Sequence, residues 1–112
     1  MDFVGAEKEL RKLSDSYAKL ARRYAEERNW YGESELEVMF LLVPHQDDRA
    51  YQKASYEKQL VMLLGDCPEA EDAVRAMKLS RERYKGLEKM LDQRAARISA
   101  LQSLMRYARE ND

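Results

Sequence analysis

The chain has 112 residues, a length that allows one domain whose hydrophobic core is stable without a disulfide or a metal ion. Charged residues make up 37% of the sequence while glycine and proline number only 4 and 2, which excludes a β-sandwich or a disordered chain and favours long solvated helices. The formal net charge of −1 is unevenly distributed, because residues 26–72 hold twelve acidic and four basic side chains and residues 75–109 hold three acidic and ten basic ones. We therefore predict an all-α fold, a helical hairpin or small bundle, in a single domain of residues 1–112.

The first predicted element is a helix over about residues 2–29, in which apolar side chains recur at heptad spacing. The heptad positions are Phe3, Ala6, Leu10, Leu13, Tyr17, Leu20 and Tyr24. Tyr17 and Tyr24 are interpreted as core or interface side chains, and a stacking surface for nucleobases is the alternative. Gly32 is expected to end this helix, because Ser34 and Glu37 have the spacing of a capping box that begins the next one.

Two shorter helices are predicted in the middle of the chain. The first carries the apolar run Val38–Val43, which ends before Pro44, and we interpret it as a buried helix of the core. The alternative is that the run forms a contact surface. The second begins at Asp47 or Asp48 as the N-cap and ends at Gly65, which is expected in the left-handed conformation.

The main predicted element is a long C-terminal helix over about residues 68–109, roughly 60 Å in length. Its apolar seam contains Tyr84, Leu87, Leu91, Ile98, Leu101 and Met105, which form an interaction seam with Tyr17 and Tyr24 of the first helix. Because the first helix is shorter, the middle helices or another copy of the chain must cover the rest, and we expect a homodimer or larger assembly. Gly86 is expected to mark a bend or a close helix crossing.

Two charged residues occupy seam positions, Glu27 on the first helix and Arg94 on the last. An unpaired charge at an apolar interface is costly, whereas a mutual ion pair would fix the register of the two helices. We therefore predict a register pair between Glu27 and Arg94. The alternative is that both lie where the seam opens to water.

Basic side chains outside the seam form a candidate phosphate-binding surface. They are Arg75, Lys78, Arg81, Arg83, Lys85, Lys89 and Arg97. Such residues can neutralise the phosphates of nucleic acid, but they are spread around the outer surface of the helix, as on an ordinary solvated face. Nucleic-acid binding is therefore the second hypothesis.

The sequence offers little for catalysis. His45 is the single histidine, and no serine has the context of a nucleophile elbow. Cys67 follows Asp66 and precedes further acidic residues, which opposes formation of the thiolate. No set of Cys and His ligands and no glycine-rich phosphate loop is present. We predict no enzyme, no metal and no cofactor.

One enzymatic alternative comes from the acidic residues. All-helical nucleotide pyrophosphatases of the MazG type hold magnesium with carboxylates one helical turn apart, and Glu69 and Asp72 have that spacing. Glu33, Glu35 and Glu37 would have to supply the second pair, but their spacing of two and four does not match. Acidic residues at a helix start are also favoured by the helix dipole alone.

The expected location is the cytoplasm. The lone cysteine forms no internal disulfide, and the first ten residues, MDFVGAEKEL, lack the pattern of a secretory signal. The longest apolar run, Val38–Val43, is far shorter than the ~20 residues that span a bilayer, so no membrane association is predicted.

The segment YKGLEKMLDQRAARISALQSLMRY, from Tyr84 to Tyr107, resembles the ending of small helical-hairpin proteins encoded in bacteriophage genomes, and ISALQSLMRY carries this resemblance. In that group two long helices flank a variable middle. The resemblance implies an accessory factor that binds or inhibits a protein of the bacterial host, including a defence protein. The alternative it implies is an accessory nucleic-acid-binding protein of phage DNA replication or recombination.

Overall fold

The structure, a computed structural model, describes residues 2–111. Four α-helices and two 3₁₀ turns follow one another along the chain. They are α1 (Phe3–Leu42), a first turn (Val43–His45), α2 (Arg49–Lys53), α3 (Tyr56–Asp66), a second turn (Pro68–Ala70) and α4 (Glu71–Glu110). The described residues contain no strand, and the predicted all-α class is confirmed.

The chain divides into two compact units, and each long helix contributes to both. Unit 1 contains residues 2–26 and 84–111, and unit 2 contains residues 27–83.

In unit 1 the first part of α1 packs antiparallel against the second part of α4. Ala6, Leu13 and Leu20 are buried on one helix, and Tyr84, Leu87 and Met105 on the other. The rings of Tyr24 and Tyr84 meet edge to face, with centroids 6.2 Å apart. Heptad spacing puts one apolar side chain per turn on the contact line, and each fully buried one contributes about 1.5–3 kcal/mol.

The core of unit 2 is formed by the end of α1, by α3 and by the start of α4. Val38, Leu60 and Leu63 are completely buried, and Val74 and Met77 pack in the same cluster. These residues recur every three or four positions on their helices, so each helix presents one continuous apolar face. The sequence pattern of α3 and α4 thus accounts for this core.

The predicted end of the first helix at Gly32 is wrong, because α1 continues without interruption to Leu42. Ser34, the predicted cap of a new helix, therefore lies inside α1. Glycine costs a helix about 1 kcal/mol relative to alanine, and burial of Val38 one helical turn beyond Ser34 outweighs such a cost.

The prediction that Val38–Val43 forms a buried helix of the core is also wrong. Val38 is buried, and Leu41 and Leu42 are half-buried, but Met39 and Phe40 are exposed. The run belongs to a helix that contacts the core of unit 2 on one side only.

The single helix predicted between Asp48 and Gly65 is two helices. Asp48 caps α2 by accepting the Ala50 N–H at 2.8 Å, and Ser55 caps α3 by accepting the Lys58 N–H at 3.3 Å. Gly65 lies within α3, and no described residue has a positive φ, so its predicted left-handed conformation is wrong.

The long C-terminal helix is confirmed, with Pro68 beginning a 3₁₀ turn and α4 following from Glu71. The helix passes through Gly86 without a break, and a Cβ placed there would meet nothing within 4 Å, so the predicted close crossing is wrong. Both long helices contain 40 residues. The prediction that the first helix is much shorter than the last one is therefore wrong.

Candidate protein-interaction surface

An exposed row of large apolar side chains lies at the end of α1. Leu36, Met39 and Phe40 are 51%, 51% and 67% exposed, and Val43, in the turn directly after the helix, is 51% exposed. Their spacing of i, i+3, i+4 and i+7 places them on one side of a helix. We call these four residues the apolar stripe.

The apolar stripe lies opposite the side of α1 that contacts the core of unit 2. Val38 is fully buried there, and Tyr31, Leu41 and Leu42 pack against the same core. This part of α1 is therefore apolar on both sides, a pattern that is typical of a helix covered all round. In other proteins, large contiguous exposed apolar patches often lie at interaction sites.

Sequence reasoning left open whether the run Val38–Val43 is buried or forms a contact surface, and it did not identify the apolar stripe. The signal was present in the spacing of Leu36, Met39, Phe40 and Val43, which repeats like the buried face of any amphipathic helix. A six-residue run of apolar residues contains both helix faces, and only the packing shows which face is covered.

Acidic side chains border the apolar stripe on both sides. Glu33 and Glu37 are exposed and lie beside Leu36 and Phe40, whereas Glu35 is half-buried and lies on the Met39 side. The sequence from residue 29 to residue 48 contains five acidic residues and no Lys or Arg. The surface thus combines an apolar centre with a negative border.

Glu35 also influences a neighbouring tyrosine in unit 2. Burial raises the pKa of Tyr56 above its ordinary value, and the carboxylates of Glu35 and Glu57 raise it further. The Tyr56 hydroxyl donates to the sulfur of Met77 at 3.4 Å. Glu35 is therefore close to the first residue of α3, while Glu33 and Glu37 face solvent.

Most residues of the predicted interaction seam are used within the chain. Tyr84, Leu87 and Met105 are buried, and the half-buried members are Tyr24, Leu91, Ile98 and Leu101. Tyr17 is the most exposed of the predicted seam residues, at 38% exposure. The seam therefore holds the fold together and leaves little surface for a partner.

The predicted pair of Glu27 and Arg94 is wrong. The Arg94 Nε donates to the Ser16 Oγ at 3.2 Å, and Glu27 is eleven residues further along α1, about 16 Å at 1.5 Å per residue. The Oε2 atom of Glu27 is buried and has no hydrogen-bond partner among the described residues. Heptad spacing puts both residues on the seam but does not determine which residues face each other.

Four of the seven predicted phosphate-binding residues are paired with carboxylates. Arg75 pairs with Glu71, and Arg97 pairs with Glu9 at 2.8 Å. Lys78 and Arg81 both approach Glu57, at 3.7 and 3.8 Å.

The remaining three, Arg83, Lys85 and Lys89, are exposed and form no ion pair with any residue from 2 to 111. Lys85 and Lys89 lie one turn apart on α4, and Arg83 points to a different side of the helix. The unpaired charges therefore form no continuous basic row.

The ring of His45 stacks on Tyr51, with centroids 4.5 Å apart. The Tyr51 hydroxyl donates to the Asp66 Oδ2 at 2.6 Å. Burial, followed by this hydrogen bond and the Asp66 charge, raises the pKa of Tyr51 to about 12. Tyr51 therefore remains protonated and fixes the loop before α2 to the end of α3.

Cys67 is partly buried between α3 and the second 3₁₀ turn. A hydrogen bond with the Glu69 side chain, followed by burial, raises the pKa of the Cys67 thiol. A backbone N–H, followed by the contact with Cys67, lowers the pKa of Glu69. The raised pKa of Cys67 favours the protonated thiol, which is less reactive than the thiolate.

Within residues 2–111 no group of three or more His, Cys, Asp and Glu side chains is arranged to hold a metal ion. Glu69 and Asp72 therefore do not form such a group with Glu33, Glu35 or Glu37. None of the described helices is long and apolar enough to cross a membrane.

No protein-family model, no curated protein and no solved structure matches this chain.

Proposed function

We propose that this chain is a non-enzymatic interaction protein and that the apolar stripe is its contact surface for a protein partner. The observation that carries the proposal is the exposure of Leu36, Met39, Phe40 and Val43 on a helix whose opposite side is already buried in the core of unit 2. Large apolar side chains that cluster on an exposed helix face are typical of protein interfaces.

The free energy gained by burying large apolar side chains supports the proposal of a protein contact surface. Burying one large aliphatic or aromatic side chain contributes about 1.5–3 kcal/mol, and a few such residues dominate the binding energy of most interfaces. Phe40 is the largest and most exposed member of the apolar stripe. It is therefore the residue on which we expect binding to depend most strongly.

The biological setting of the proposal follows the resemblance of ISALQSLMRY to bacteriophage hairpin proteins. In that setting the chain is a cytoplasmic accessory factor that occludes or inhibits a protein of the bacterial host. Self-association remains a further prediction. The apolar stripe does not depend on either setting.

A pair of matched variants tests the proposal. Met39→Gln/Phe40→Gln removes the centre of the apolar stripe, and Val61→Gln changes an equally exposed residue of α3, 66% against 67% for Phe40. The tagged chain is expected to migrate in a larger complex on size-exclusion chromatography of extract from the producing cell. The stripe variant should migrate as the free chain and Val61→Gln as the wild type. Equal migration of the three proteins would contradict the proposal.

The second candidate function is nucleic-acid binding, which Arg83, Lys85 and Lys89 favour because they lack carboxylate partners among residues 2–111. Phosphate binding weakens steeply as salt rises, whereas an apolar contact does not. Light scattering with a short mixed-sequence DNA duplex separates the two. A gain in mass at low salt that Lys85→Gln/Lys89→Gln abolishes would favour this candidate.

A further inference from the structure

We infer that the partner of the apolar stripe is a basic amphipathic helix of another protein. This inference rests on the proposed function and specifies the chemistry of the partner. It is carried by the negative border of the stripe and by the spacing of its residues.

The first step is the charge around the apolar stripe. Glu33 and Glu37 border it on the Leu36 and Phe40 side, Glu35 on the other, and residues 29–48 contain no Lys or Arg. A partner with acidic side chains at its edges would place like charges opposite each other, whereas Lys or Arg there would be complementary. The charge pattern therefore selects a basic partner.

The second step concerns a second copy of the same chain. Two copies that met in parallel through their apolar stripes would bring Glu33, Glu35 and Glu37 of one copy against the same residues of the other. Neither segment 29–48 could supply a neutralising Lys or Arg. Like-charge repulsion disfavours this symmetric contact.

The third step is the spacing of the residues. Leu36 and Val43 are seven positions apart and Met39 lies three after Leu36, which corresponds to positions a, d and a of a heptad. Glu33 then occupies an e position, where a charge pairs with the facing helix and determines partner choice. A helix with apolar a and d positions and Lys or Arg at e and g is the complementary surface.

Two synthetic peptides test the inference. Each contains three heptads with Leu at a and d, and the first has Lys at e and g while the second has Glu there. Fluorescence anisotropy of labelled peptide measures its affinity for the full chain. The Lys peptide is expected to bind with one-to-one stoichiometry, about tenfold or more tightly than the Glu peptide, and more weakly as salt rises.

Three variants locate the binding. Met39→Gln/Phe40→Gln should weaken binding of the Lys peptide about tenfold or more, and Val61→Gln should leave it unchanged. Glu33→Lys/Glu37→Lys should reduce or reverse the preference for the Lys peptide. Circular dichroism and the thermal midpoint should be similar for all three, because the substituted side chains are exposed.

The inference is overturned if the Lys peptide does not bind, binds no better than the Glu peptide, or binds the stripe variant as well as the wild type. It is also overturned if light scattering shows an oligomer that Met39→Gln/Phe40→Gln dissociates, since a second copy would then be the occupant. In that case the proposed function survives with a different partner. If neither peptide binding nor any complex responds to the stripe variant, both fail.

Discussion

Arg94 of α4 donates a hydrogen bond from its Nε to the Oγ of Ser16 on α1, at 3.2 Å. Arg97 pairs with Glu9 and Tyr84 contacts Tyr24, so residue numbers fall on α1 as they rise on α4. These three contacts define the antiparallel register of unit 1. Arg94 thus has a neutral partner, and Glu27 does not compensate its charge.

The buried Oε2 atom of the half-buried Glu27 is expected to destabilise the fold. Its Oε2 has no hydrogen-bond partner among the described residues, and an unsatisfied buried polar group costs about 1–3 kcal/mol. Glu27→Met should therefore increase the free energy of unfolding in urea by about 1 kcal/mol. Glu26→Met, at the neighbouring exposed position, is the control and should change little. A loss of stability in Glu27→Met would show that the carboxylate has a stabilising role.

Three glycines in helices offer a second prediction. A Cβ at Gly32, Gly65 or Gly86 would meet nothing within 4 Å, and all three have helical backbones. Substitution of each by alanine should raise the free energy of unfolding by about 0.5–1 kcal/mol.

Gly5 is the control, because a Cβ there would lie 2.5 Å from the Asp2 Oδ2. The Asp2 side chain also accepts a hydrogen bond from the Gly5 N–H, so Gly5→Ala should disturb this cap. Its free energy of unfolding should rise less than in the other three variants, or should fall. If Gly32→Ala were as unfavourable as Gly5→Ala, α1 would not be continuous at Gly32.

The core of unit 2 supplies a third prediction. Leu63 is fully buried and Val61, two residues away on α3, is largely exposed. Leu63→Ala should lower the free energy of unfolding by about 2–5 kcal/mol, because it removes apolar contacts and leaves a cavity. Val61→Ala should stay within about 0.5 kcal/mol of the wild type. Similar losses for both variants would mean that α3 packs with a different face.

The hydrogen bond between Tyr51 and Asp66 makes stability depend on alkaline pH. The pKa of Tyr51 is raised from 10.0 to about 12 in the folded chain, so the fold favours the protonated phenol. Its contribution is fully present below about pH 10 and is lost as the pH rises from there through about 12. Tyr51→Phe should abolish this part of the alkaline loss in urea unfolding.

Ultraviolet titration of the phenols checks the cause. Asp66→Asn should lower the pKa of Tyr51 part of the way toward its ordinary value, because burial remains when the carboxylate charge is removed. Asp47→Asn changes an exposed neighbouring acid and should leave the titration as it is. An unchanged titration in Asp66→Asn would mean that burial alone raises the pKa.

The periodic part of the fold was predictable from sequence and the irregular part was not. On α4 the predicted seam residues from Tyr84 to Met105 are all buried or half-buried, because a heptad repeat over a long helix specifies one face many times. Helix boundaries depended on Gly32 and Gly65, whose local preferences are small relative to the burial of Val38 and Leu63. At both glycines the energy gained by packing the core is larger than the local preference for ending the helix.

The candidate site was predictable only in part for a related reason. The charge asymmetry and the apolar character of Val38–Val43 are visible in the sequence, but which side of the helix is covered depends on α3 and α4. The pairing of Arg94 with Ser16 likewise depends on the relative shift of two helices, which a heptad repeat leaves undetermined. Such shifts are determined by contacts between residues far apart in sequence.

Photo-crosslinking from the apolar stripe tests the central claim most directly. Benzoylphenylalanine replaces Phe40 in one protein and Val61 in another, and both are irradiated in extract of the producing cell. We predict a discrete protein adduct from position 40 that is absent from position 61. No adduct from position 40, or the same adducts from both positions, would contradict the claim that the apolar stripe binds a protein partner.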